Sequence, residues 1–390
     1  MGDLTGTIDP VDAARRLAAT AADLAPQAEK DRRLSEALVT ELADAGLFRL
    51  CVPAAAGGLE AHPGTLTAAV RALAAGDAAA AWCVAIAATS GLLAGYLPEE
   101  SARAIYAEPG TMVAGVFAPK GRASPEPGGF RVSGRWPFAS GCRHAGWLMG
   151  GCVVVDDGGA PRMLPNGMPD VRLMLAPAEE FTIHDTWHVI GLRATGSHDI
   201  ELADVHVPAD RSASVFSDAP VQAGPLYAFP LFGLLALAIS AVCLGIARGA
   251  LDDLVALAGG KVPTGARRTL AERATVQAEV ARAEAAVRAA RALLEEAIGE
   301  AWERAVEDGG VDLLRRAGLR LAATHAAAAG VQATEAAFRL GGGSAIYESS
   351  PLQRRLRDAH AATQHMLVAP ATWELTGRVL LGLPTDPTQL

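Results

Sequence analysis

The stretch GGGSAIYESSPLQRRLRDA, residues 341–359, connects two segments that are predicted to be helical. Its three glycines are typical of a helix C-terminus. In a structural interpretation the loop is a helix cap and a connection. In a functional interpretation the backbone N–H groups around Gly342, Gly343 and Ser344 contact a ligand. Both interpretations are open at this level.

Four long helical segments surround this loop. They span residues 229–258, 269–307, 311–340 and 352–381. The second contains no proline and a single glycine, so as one helix it would be about 55–60 Å long at ~1.5 Å per residue. A helix of that length needs partners. The segments together predict an antiparallel four-helix bundle over residues 223–390.

The beginning of the chain, residues 1–110, is also predicted to be helical. Asp9 and Pro10 form a helix N-cap followed by proline in the first turn, and Leu34, Leu38 and Leu42 recur at every fourth position. No part of this segment alternates between polar and apolar residues for long. It is therefore expected to be an N-terminal α-helical domain.

Residues 111–222 show a different pattern, with short β-type runs separated by turn clusters of glycine, proline and aspartate. The runs span residues 128–136, 147–155, 171–176 and 199–208. The last run alternates with one slip, which predicts a half-buried strand with a bulge. The chain is thus predicted to be an α+β protein with a β domain between two helical domains.

Composition excludes several classes of protein. With 51% hydrophobic and 20% charged residues the chain is not disordered, and a net charge of −9 without a basic block argues against nucleic acid as a partner. Five cysteines without a CxxC pair indicate neither a disulfide framework nor a zinc site. The acidic N-terminal stretch lacks the apolar core of a secretory signal. A cytoplasmic location is expected.

The segment from Pro220 to Ala247 contains no charged residue and is long enough to span a membrane as a helix. Pro230, Gly233 and Gly245 interrupt it, and no aromatic belt flanks both ends. We therefore expect no membrane span. We expect a helix that is apolar all round because it is buried between subunits, which predicts an oligomer.

Familiar catalytic motifs are absent from the sequence: there is no GxSxG, no GxxxxGK[ST] and no strand-linked GxGxxG. His184 and His188 have helical ligand spacing but lie in a β-rich stretch, so no metal site is predicted. His360 and His365 are five apart on a predicted helix and point in different directions, so one at most belongs to a site. Redox chemistry would then need a bound organic cofactor.

Three segments resemble motifs of the acyl-CoA dehydrogenase superfamily, over essentially the whole chain. They are GLRATGSHDIELADVHVP (191–208), GIARGALDDL (245–254) and residues 341–359, which align with the GGxG…P…RD pattern without a gap. The resemblance implies an acyl-CoA dehydrogenase-like fold. However, the Tyr-Glu-Gly-Thr turn of the dehydrogenases is replaced by residues 365–368, His-Met-Leu-Val, and Met366 is not a base.

The tail at 357–378, with segments 140–147 and 185–197, is instead similar to the two-component flavin-dependent monooxygenase branch of this superfamily. That resemblance implies reduced flavin supplied by a separate reductase, and O₂ activation through a flavin C4a-(hydro)peroxide that oxidises an aromatic or indole-like molecule. It also implies a homotetramer. Two alternatives are an acyl-CoA dehydrogenase-type flavin oxidoreductase and a non-catalytic helical binding protein.

The same resemblance assigns residues to the site. His365 takes the position of the flavin-side histidine, and Ser140 is expected to supply the hydroxyl that Ala139 lacks, so both are candidate catalytic residues. Trp82 and Ser90 are expected to line the substrate pocket, where Ser90 replaces a histidine of phenol hydroxylases and so favours an indolic substrate. Ser140 is also an expected flavin contact. The further flavin contacts are expected to be Trp136, Phe138, Ala139, Arg193, Thr195, Ser197 and Arg267, with Gly342, Gly343 and Ser344 of the glycine-rich loop.

The stretch at 266–277 bears on the choice of flavin. It keeps Arg267 and Arg268 but lacks the Phe-Gly that follows in relatives holding FAD. The arginines suit a phosphate, whereas the missing aromatic removes a stacking surface for adenine. The sequence therefore predicts that FMN is accepted at least as well as FAD.

Overall fold

A computed structural model describes residues 9–390. Its N-terminal helices begin at capping side chains: Asp9 accepts a hydrogen bond of 2.7 Å from the backbone N–H of Val11, and Asp77 one of 2.8 Å from that of Ala80. The helices of this part are α1 (Pro10–Asp31), α2 (Glu36–Asp44), α3 (Pro63–Gly76), α4 (Ala78–Ser90) and α5 (Glu99–Ile105). The first eight residues lie outside the described residues. They belong to the predicted N-terminal domain and to the segment that is expected not to be a secretory signal.

The middle of the chain forms one seven-stranded sheet, in which the strands, counted along the chain, lie in the order fifth, sixth, second, first, third, fourth and seventh. The pairing is antiparallel except between the first and third strands. The predicted bulge is present in the sixth strand, where the register against the second strand shifts and Asp204 has a φ of 58°. The strands are β1 (Val113–Glu126), β2 (Gly129–Ala139), β3 (Trp147–Val154), β4 (Val171–Pro177), β5 (Thr182–His184), β6 (His198–Pro208) and β7 (Ser212–Ala213).

The C-terminal part is helical and contains α6 (Pro225–Ala228), α7 (Leu231–Gly260), α8 (Ala274–Asp308), α9 (Leu313–Gly341), α10 (Pro351–Ala362) and α11 (Ala371–Leu380). The predicted fold class is thereby confirmed. The domain boundaries at residues 110 and 222 stay predictions.

One predicted helix is wrong in its extent. The segment at 352–381 is interrupted after Ala362 by a turn that contains a short 3-10 helix, Met366–Val368. The imidazole Nδ1 of His365 accepts a hydrogen bond of 3.3 Å from the backbone N–H of Leu367, and so begins the 3-10 helix. Pro370, which lacks an N–H, stands just before α11. His360 and His365 therefore do not share a helix.

The apolar helix α7 is largely enclosed by its own chain. This helix packs against α3 and α9 of its own chain, and 78% of its most apolar window is buried there. A Cβ added at Gly245 would lie 2.4 Å from the Cβ of Ala74, so glycine permits the close approach of α3. Burial between subunits is not needed to explain the composition of α7.

Two helical segments have the length and composition of a membrane span, Ala78–Tyr96 and Leu231–Gly260. The apolar window of the first is 94% buried within the chain. Both are thus core helices of this fold, and their apolar composition follows from packing on all sides.

Candidate active site

Three hydroxyl groups form a buried cluster where β2 ends and β6 begins. The Oγ of Ser140 lies 2.7 Å from the Oγ of Ser197, which in turn lies 2.6 Å from the Oγ1 of Thr195. All three residues are at most 4% exposed. The backbone N–H of Gly141 donates to the carbonyl of Thr195 at 2.8 Å and holds the two loops together. Three of the predicted flavin contacts thus meet in one place.

Trp82 brings helix α4 to this cluster. Its indole Nε1 donates a hydrogen bond of 3.0 Å to Ser140 Oγ, and its ring lies edge-on to the imidazole of His365, with centroids 5.8 Å apart. The predicted substrate-pocket tryptophan therefore joins the two candidate catalytic residues directly. Ser90 is buried further along α4, and no hydrogen bond of the described residues joins it to this group.

His365 is a neutral imidazole in this setting. Its burial, together with the positive charge of Arg320, lowers its pKa to about 4. Because Nδ1 accepts from the N–H of Leu367, the hydrogen of the neutral ring is assigned to Nε2. His365 is therefore suited to donate a hydrogen bond from Nε2 at neutral pH. The imidazolium needed for a strong acid is scarcely populated there.

Arg320 supports the turn that carries His365. This buried guanidinium donates to the carbonyl oxygen of Leu367 at 3.1 Å and to Thr372 Oγ1 at 3.4 Å. Burial lowers its pKa to about 10, so it keeps its charge at neutral pH. The sequence offered no sign of this contact, since Arg320 resembles any other arginine of a helix.

The turn before Thr195 is clamped to α10. Leu192, with a φ of 51°, donates its N–H to Asp358 Oδ1 at 2.6 Å, and Arg357 donates to the carbonyl of Ile190 at 2.7 Å. A Cβ at Gly191 would lie 2.1 Å from the carbonyl oxygen of Arg357. Burial raises the pKa of Asp358 to about 7. The Arg-Asp pair, singled out only as a motif, thus positions the hydroxyl cluster.

Arg193 belongs to the same turn and carries a hydrogen-bond donor without a partner among the described residues. Its Nε is buried and has no hydrogen-bond partner within the described part of the chain. A buried guanidinium N–H without an acceptor costs free energy. A carbonyl or phosphate oxygen of a bound cofactor would satisfy it.

The two aromatic residues of β2 have different roles. Trp136 is fully buried, its Nε1 donates to the carbonyl of Gly151 at 2.7 Å, and its ring occupies the space beside Gly134 and Gly150. The Trp136 indole therefore packs in the core of the sheet, and its contact with a flavin stays a prediction. Ala139 is likewise fully buried. Both residues belong to the core of the sheet.

Phe138 is the aromatic residue that faces outward. Its side chain is 67% exposed, and its ring stands edge-on to Trp187 with centroids 6.1 Å apart. Its φ of 69° is uncommon for a bulky residue and costs free energy that must be offset elsewhere. Such an aromatic, held out of the sheet next to the hydroxyl cluster, is placed to contact a planar ligand.

The remaining predicted contacts lie at one end of the bundle. Gly342 and Gly343 are exposed, and Ser344 follows them in a short 3-10 helix. Lys261 Nζ donates to the carbonyl of Gly341 and so joins this loop to the exposed loop that carries Arg267. No hydrogen bond of the described residues connects these groups with the Trp82 cluster.

The histidines with metal-like spacing are engaged in other contacts. His184 Nε2 lies 2.6 Å from Glu201 Oε2, and His188 Nε2 lies 3.8 Å from Asp185 Oδ1. Among residues 9–390, no group of three His, Cys, Asp or Glu side chains is placed to hold a metal ion.

Comparison with known proteins places this geometry in a family. The acyl-CoA dehydrogenase N-terminal domain matches residues 10–102, and the acyl-CoA dehydrogenase C-terminal domain matches residues 237–370. An indole-3-acetate monooxygenase of Pseudomonas putida is 34% identical over 93% of this chain and 91% of its own length.

Two further relatives extend the comparison. The oxygenase component of an FADH(2)-dependent resorcinol hydroxylase from a Rhizobium species is 31% identical, over 92% of this chain and 90% of its own. The crystal structure of 3-HSA hydroxylase from Rhodococcus sp. RHA1 superposes with a TM-score of 0.90 at 26% identity, covering 98% of this chain and 100% of that one.

Proposed function

Because this chain belongs to the acyl-CoA dehydrogenase superfamily and, within it, to the flavin-dependent monooxygenases, we propose that it oxidises a small aromatic or indole-like molecule. The reaction consumes O₂ and reduced flavin; one oxygen atom enters the substrate, the other leaves as water, and the flavin is released oxidised. The observation that carries the proposal is the meeting of Trp82, Ser140 and His365 at one site.

The residues of this site fit a flavin. The unpartnered Nε of Arg193 needs an acceptor, the hydroxyl cluster offers hydrogen-bonding groups, and the exposed ring of Phe138 offers an aromatic face. Bound reduced flavin would supply the two electrons that activate O₂. The residues that would hold it are Phe138, Ser140, Arg193 and Ser197.

The protein's part in the reaction is to orient groups and exclude water. His365 supplies a neutral Nε2–H donor that the packing of Trp82 and the backbone of Leu367 hold in one orientation. The apolar α4 covers the cluster and keeps solvent from it. A dry, preorganised donor stabilises developing negative charge on oxygen and limits side reactions with water.

The substrate pocket is assigned to the face of α4 that carries Trp82 and Ser90. A serine in place of a histidine provides no cation for a phenolate oxygen, so a substrate whose aromatic ring is uncharged is favoured over a phenolate. The relative named indole-3-acetate monooxygenase supports an indole-like ring. The resorcinol hydroxylase shows that a phenolic substrate also occurs among relatives of this chain.

The alternatives receive less support. Met366, where a dehydrogenase glutamate would stand, is 59% exposed and carries no group that accepts a proton. A purely structural binding protein gives no role to the meeting of Trp82, Ser140 and His365 at one place. The experiment below distinguishes all three functions.

The proposal includes a separate flavin reductase, because the resorcinol hydroxylase relative is named an oxygenase component. The proposal also includes FMN as a cofactor that is accepted at least as well as FAD. It includes a cytoplasmic location, because the five cysteines are free thiols, as is usual in a reducing compartment. It also includes a homotetramer. Support comes from exposed apolar residues on α8, on α9, and at the end of α11 and directly after it: Val306, Leu314, Leu380 and Leu381.

The test supplies the purified protein with reduced FMN from an added reductase, ¹⁸O₂ and indole or indole-3-acetate. We expect a product that contains one labelled oxygen atom and that does not form without the protein. Tight binding of oxidised FAD and its reduction by an acyl-CoA thioester would establish the dehydrogenase alternative instead. Failure to bind flavin in either redox state would leave a binding protein.

A further inference from the structure

Residues 387–390, which we call the strap, lie against helix α9. Pro387–Gln389 form a short 3-10 helix. This helix begins at Asp386, whose Oδ1 accepts a hydrogen bond of 2.9 Å from the backbone N–H of Thr388. The side chain of Leu390 is only 1% exposed. The strap is therefore held in shape by its own cap and anchored by one buried apolar side chain.

Two arginines of α9 hold the strap by its backbone carbonyls. Arg316 donates to the carbonyl oxygen of Leu390 from Nε at 3.1 Å and from Nη2 at 2.8 Å, and from Nη2 to that of Pro387 at 2.9 Å. Arg320 donates from Nη1 to the carbonyl of Gln389. The two arginines are four positions apart and so lie on the same face of the helix. Arg320 thus depends on the strap for one of its acceptors.

Arg320 also joins the strap to the turn that carries His365. Its Nη2 donates to the carbonyl oxygen of Leu367 at 3.1 Å, and the N–H of the same Leu367 donates to His365 Nδ1 at 3.3 Å. The backbone of Leu367 is therefore held at its carbonyl by the guanidinium and at its N–H by the imidazole. A displacement of the guanidinium would move the backbone that orients the imidazole.

The buried charge of Arg320 makes this link sensitive to the strap. The residue is 2% exposed, its Nε has no partner, and its acceptors within the described part of the chain are all neutral oxygens. An unpaired N–H of a buried charged group costs more free energy than one of a neutral group. Loss of the Gln389 carbonyl would leave Nη1 unpaired as well. The guanidinium would then shift towards water, and its hold on Leu367 would weaken.

We propose that the strap is a positioning element for His365 and acts through Arg320. The inference rests on the proposed function, in which His365 supplies the positioned Nε2–H donor. Arg316, Arg320 and the strap act through that imidazole and are positioning rather than catalytic residues. Weakening the strap should therefore reduce the fraction of reduced flavin that yields product, and should leave substrate affinity unchanged.

The test is Arg316→Met, which removes three hydrogen bonds to the strap and leaves Arg320 and His365 in place. Hydrogen–deuterium exchange with mass spectrometry measures the backbone amides of residues 366–369 without flavin or substrate. We expect these amides to exchange about fivefold faster than in the wild-type protein, the scale of one weakened hydrogen bond, and those of α4 to be unchanged.

The same variant is then assayed with reduced FMN from an added reductase, O₂ and indole-3-acetate. We expect the ratio of product to H₂O₂ to fall by about fivefold, because the donor is held less firmly in one orientation. The KM for the aromatic substrate should not change. A loss of folded protein alone would lower the total rate but not this ratio.

Three further variants make the test specific. Arg316→Lys keeps a cation that can donate to the strap carbonyls and should recover most of the wild-type exchange and ratio. Arg304→Met is the matched control, because Arg304 is also partly buried and pairs only within its own helix α8; it should change neither measurement. If Arg316→Met does not fold, Leu390→Ala removes the apolar anchor of the strap and should give the same two changes.

The outcomes separate this inference from the proposed function. Unchanged exchange at residues 366–369 in both Arg316→Met and Leu390→Ala would overturn the inference, whatever the activity of the protein. Faster exchange with an unchanged product ratio would overturn the positioning role and leave the monooxygenase proposal standing. Absence of flavin binding by the wild-type protein would overturn the proposed function, and the inference with it.

Discussion

The indole Nε1 of Trp82 donates a hydrogen bond of 3.0 Å to the hydroxyl oxygen of Ser140. One residue lies in an N-terminal helix and the other follows the last residue of a strand of the sheet. Both are buried, at 7% and 4% exposure. Since the ring of Trp82 also contacts His365, this one side chain connects the helical domain, the sheet and the C-terminal turn at the site.

Replacing Trp82 tests that connection. Trp82→Phe keeps an aromatic ring beside His365 but removes the N–H donor, at a cost of about 1 kcal/mol for a buried hydrogen bond. We expect a folded protein that forms less product and more H₂O₂ per reduced flavin consumed. Trp302→Phe, in a ring cluster with His62 and Phe229, is the matched control. Equal yields in the two variants would remove Trp82 from the site.

His365→Ala is expected to leave folding and assembly intact, to reduce product formation and to raise H₂O₂ release, because the positioned Nε2–H donor is lost. The measurement is the ratio of product to H₂O₂, with size and melting temperature alongside. His360→Ala removes a partly exposed imidazole 3.2 Å from Glu335 and should keep the wild-type ratio. A large fall in melting temperature in His365→Ala alone would make the residue structural.

The pKa of His365 has a consequence for stability. It is lowered to about 4 in the folded protein, against ~6.5 in an unfolded chain, so between these values the unfolded state binds more protons. The stabilisation is therefore fully present above about pH 6.5 and is lost as the pH falls towards 4. Over this window we expect the wild-type protein to lose ~1–3 kcal/mol more unfolding free energy than His365→Gln.

Denaturant unfolding at several pH values checks this difference. His144, whose pKa is also lowered to about 4 by burial, is present in both proteins and cancels in the comparison. Parallel profiles for the two proteins would show that His365 titrates normally, which would contradict its burial in the turn.

Phe138→Ala tests the exposed aromatic. An aromatic contact contributes about 0.5–1.5 kcal/mol, so we expect flavin affinity to fall by roughly 2- to 10-fold. Stability should stay nearly unchanged, because the ring is 67% exposed. Val255→Ala, at an exposed apolar residue of α7, is the control and should bind flavin as the wild-type protein does. Unaltered affinity in Phe138→Ala would place the flavin elsewhere.

The preference between flavins is checked by titrating the flavin-free protein with reduced FMN and reduced FAD. We expect FMN to bind at least as tightly, because the exposed loop around Arg267 offers charge but no aromatic surface for adenine. FAD binding tighter by more than about tenfold, or ~1.4 kcal/mol, would contradict the expectation and assign that loop to an adenosine contact.

Local sequence patterns determined much of the fold. Capping residues such as Asp9 and Asp77 begin helices, and the slip in the alternation of β6 marks the bulge near Asp204, because caps and pleats depend on residues a few positions apart. The 341–359 stretch and its relatives indicated the superfamily. These features need no knowledge of how the elements pack.

An apolar composition, by contrast, indicates that a residue is buried. It does not indicate which part of the protein, or which neighbouring subunit, buries it. The composition of α7 suggested a subunit interface, whereas α3 and α9 of the same chain enclose it. Trp136 and Phe138 are both aromatic residues of one strand, yet the first fills the sheet core and the second faces outward. The positive φ of Phe138, which breaks the alternation, appears only in the folded backbone.

The site itself was decided by tertiary structure. The family resemblance named His365 and the hydroxyl residues. It did not predict the contacts that keep the His365 ring neutral, or those that join the hydroxyl groups to one another. Trp82 meets Ser140 across 58 positions and Asp358 meets Leu192 across 166. No local pattern encodes such pairs, because each pair depends on how three parts of the chain, each with its own local pattern, pack together. Only that packing excludes the water that would otherwise hydrogen-bond to the same polar groups.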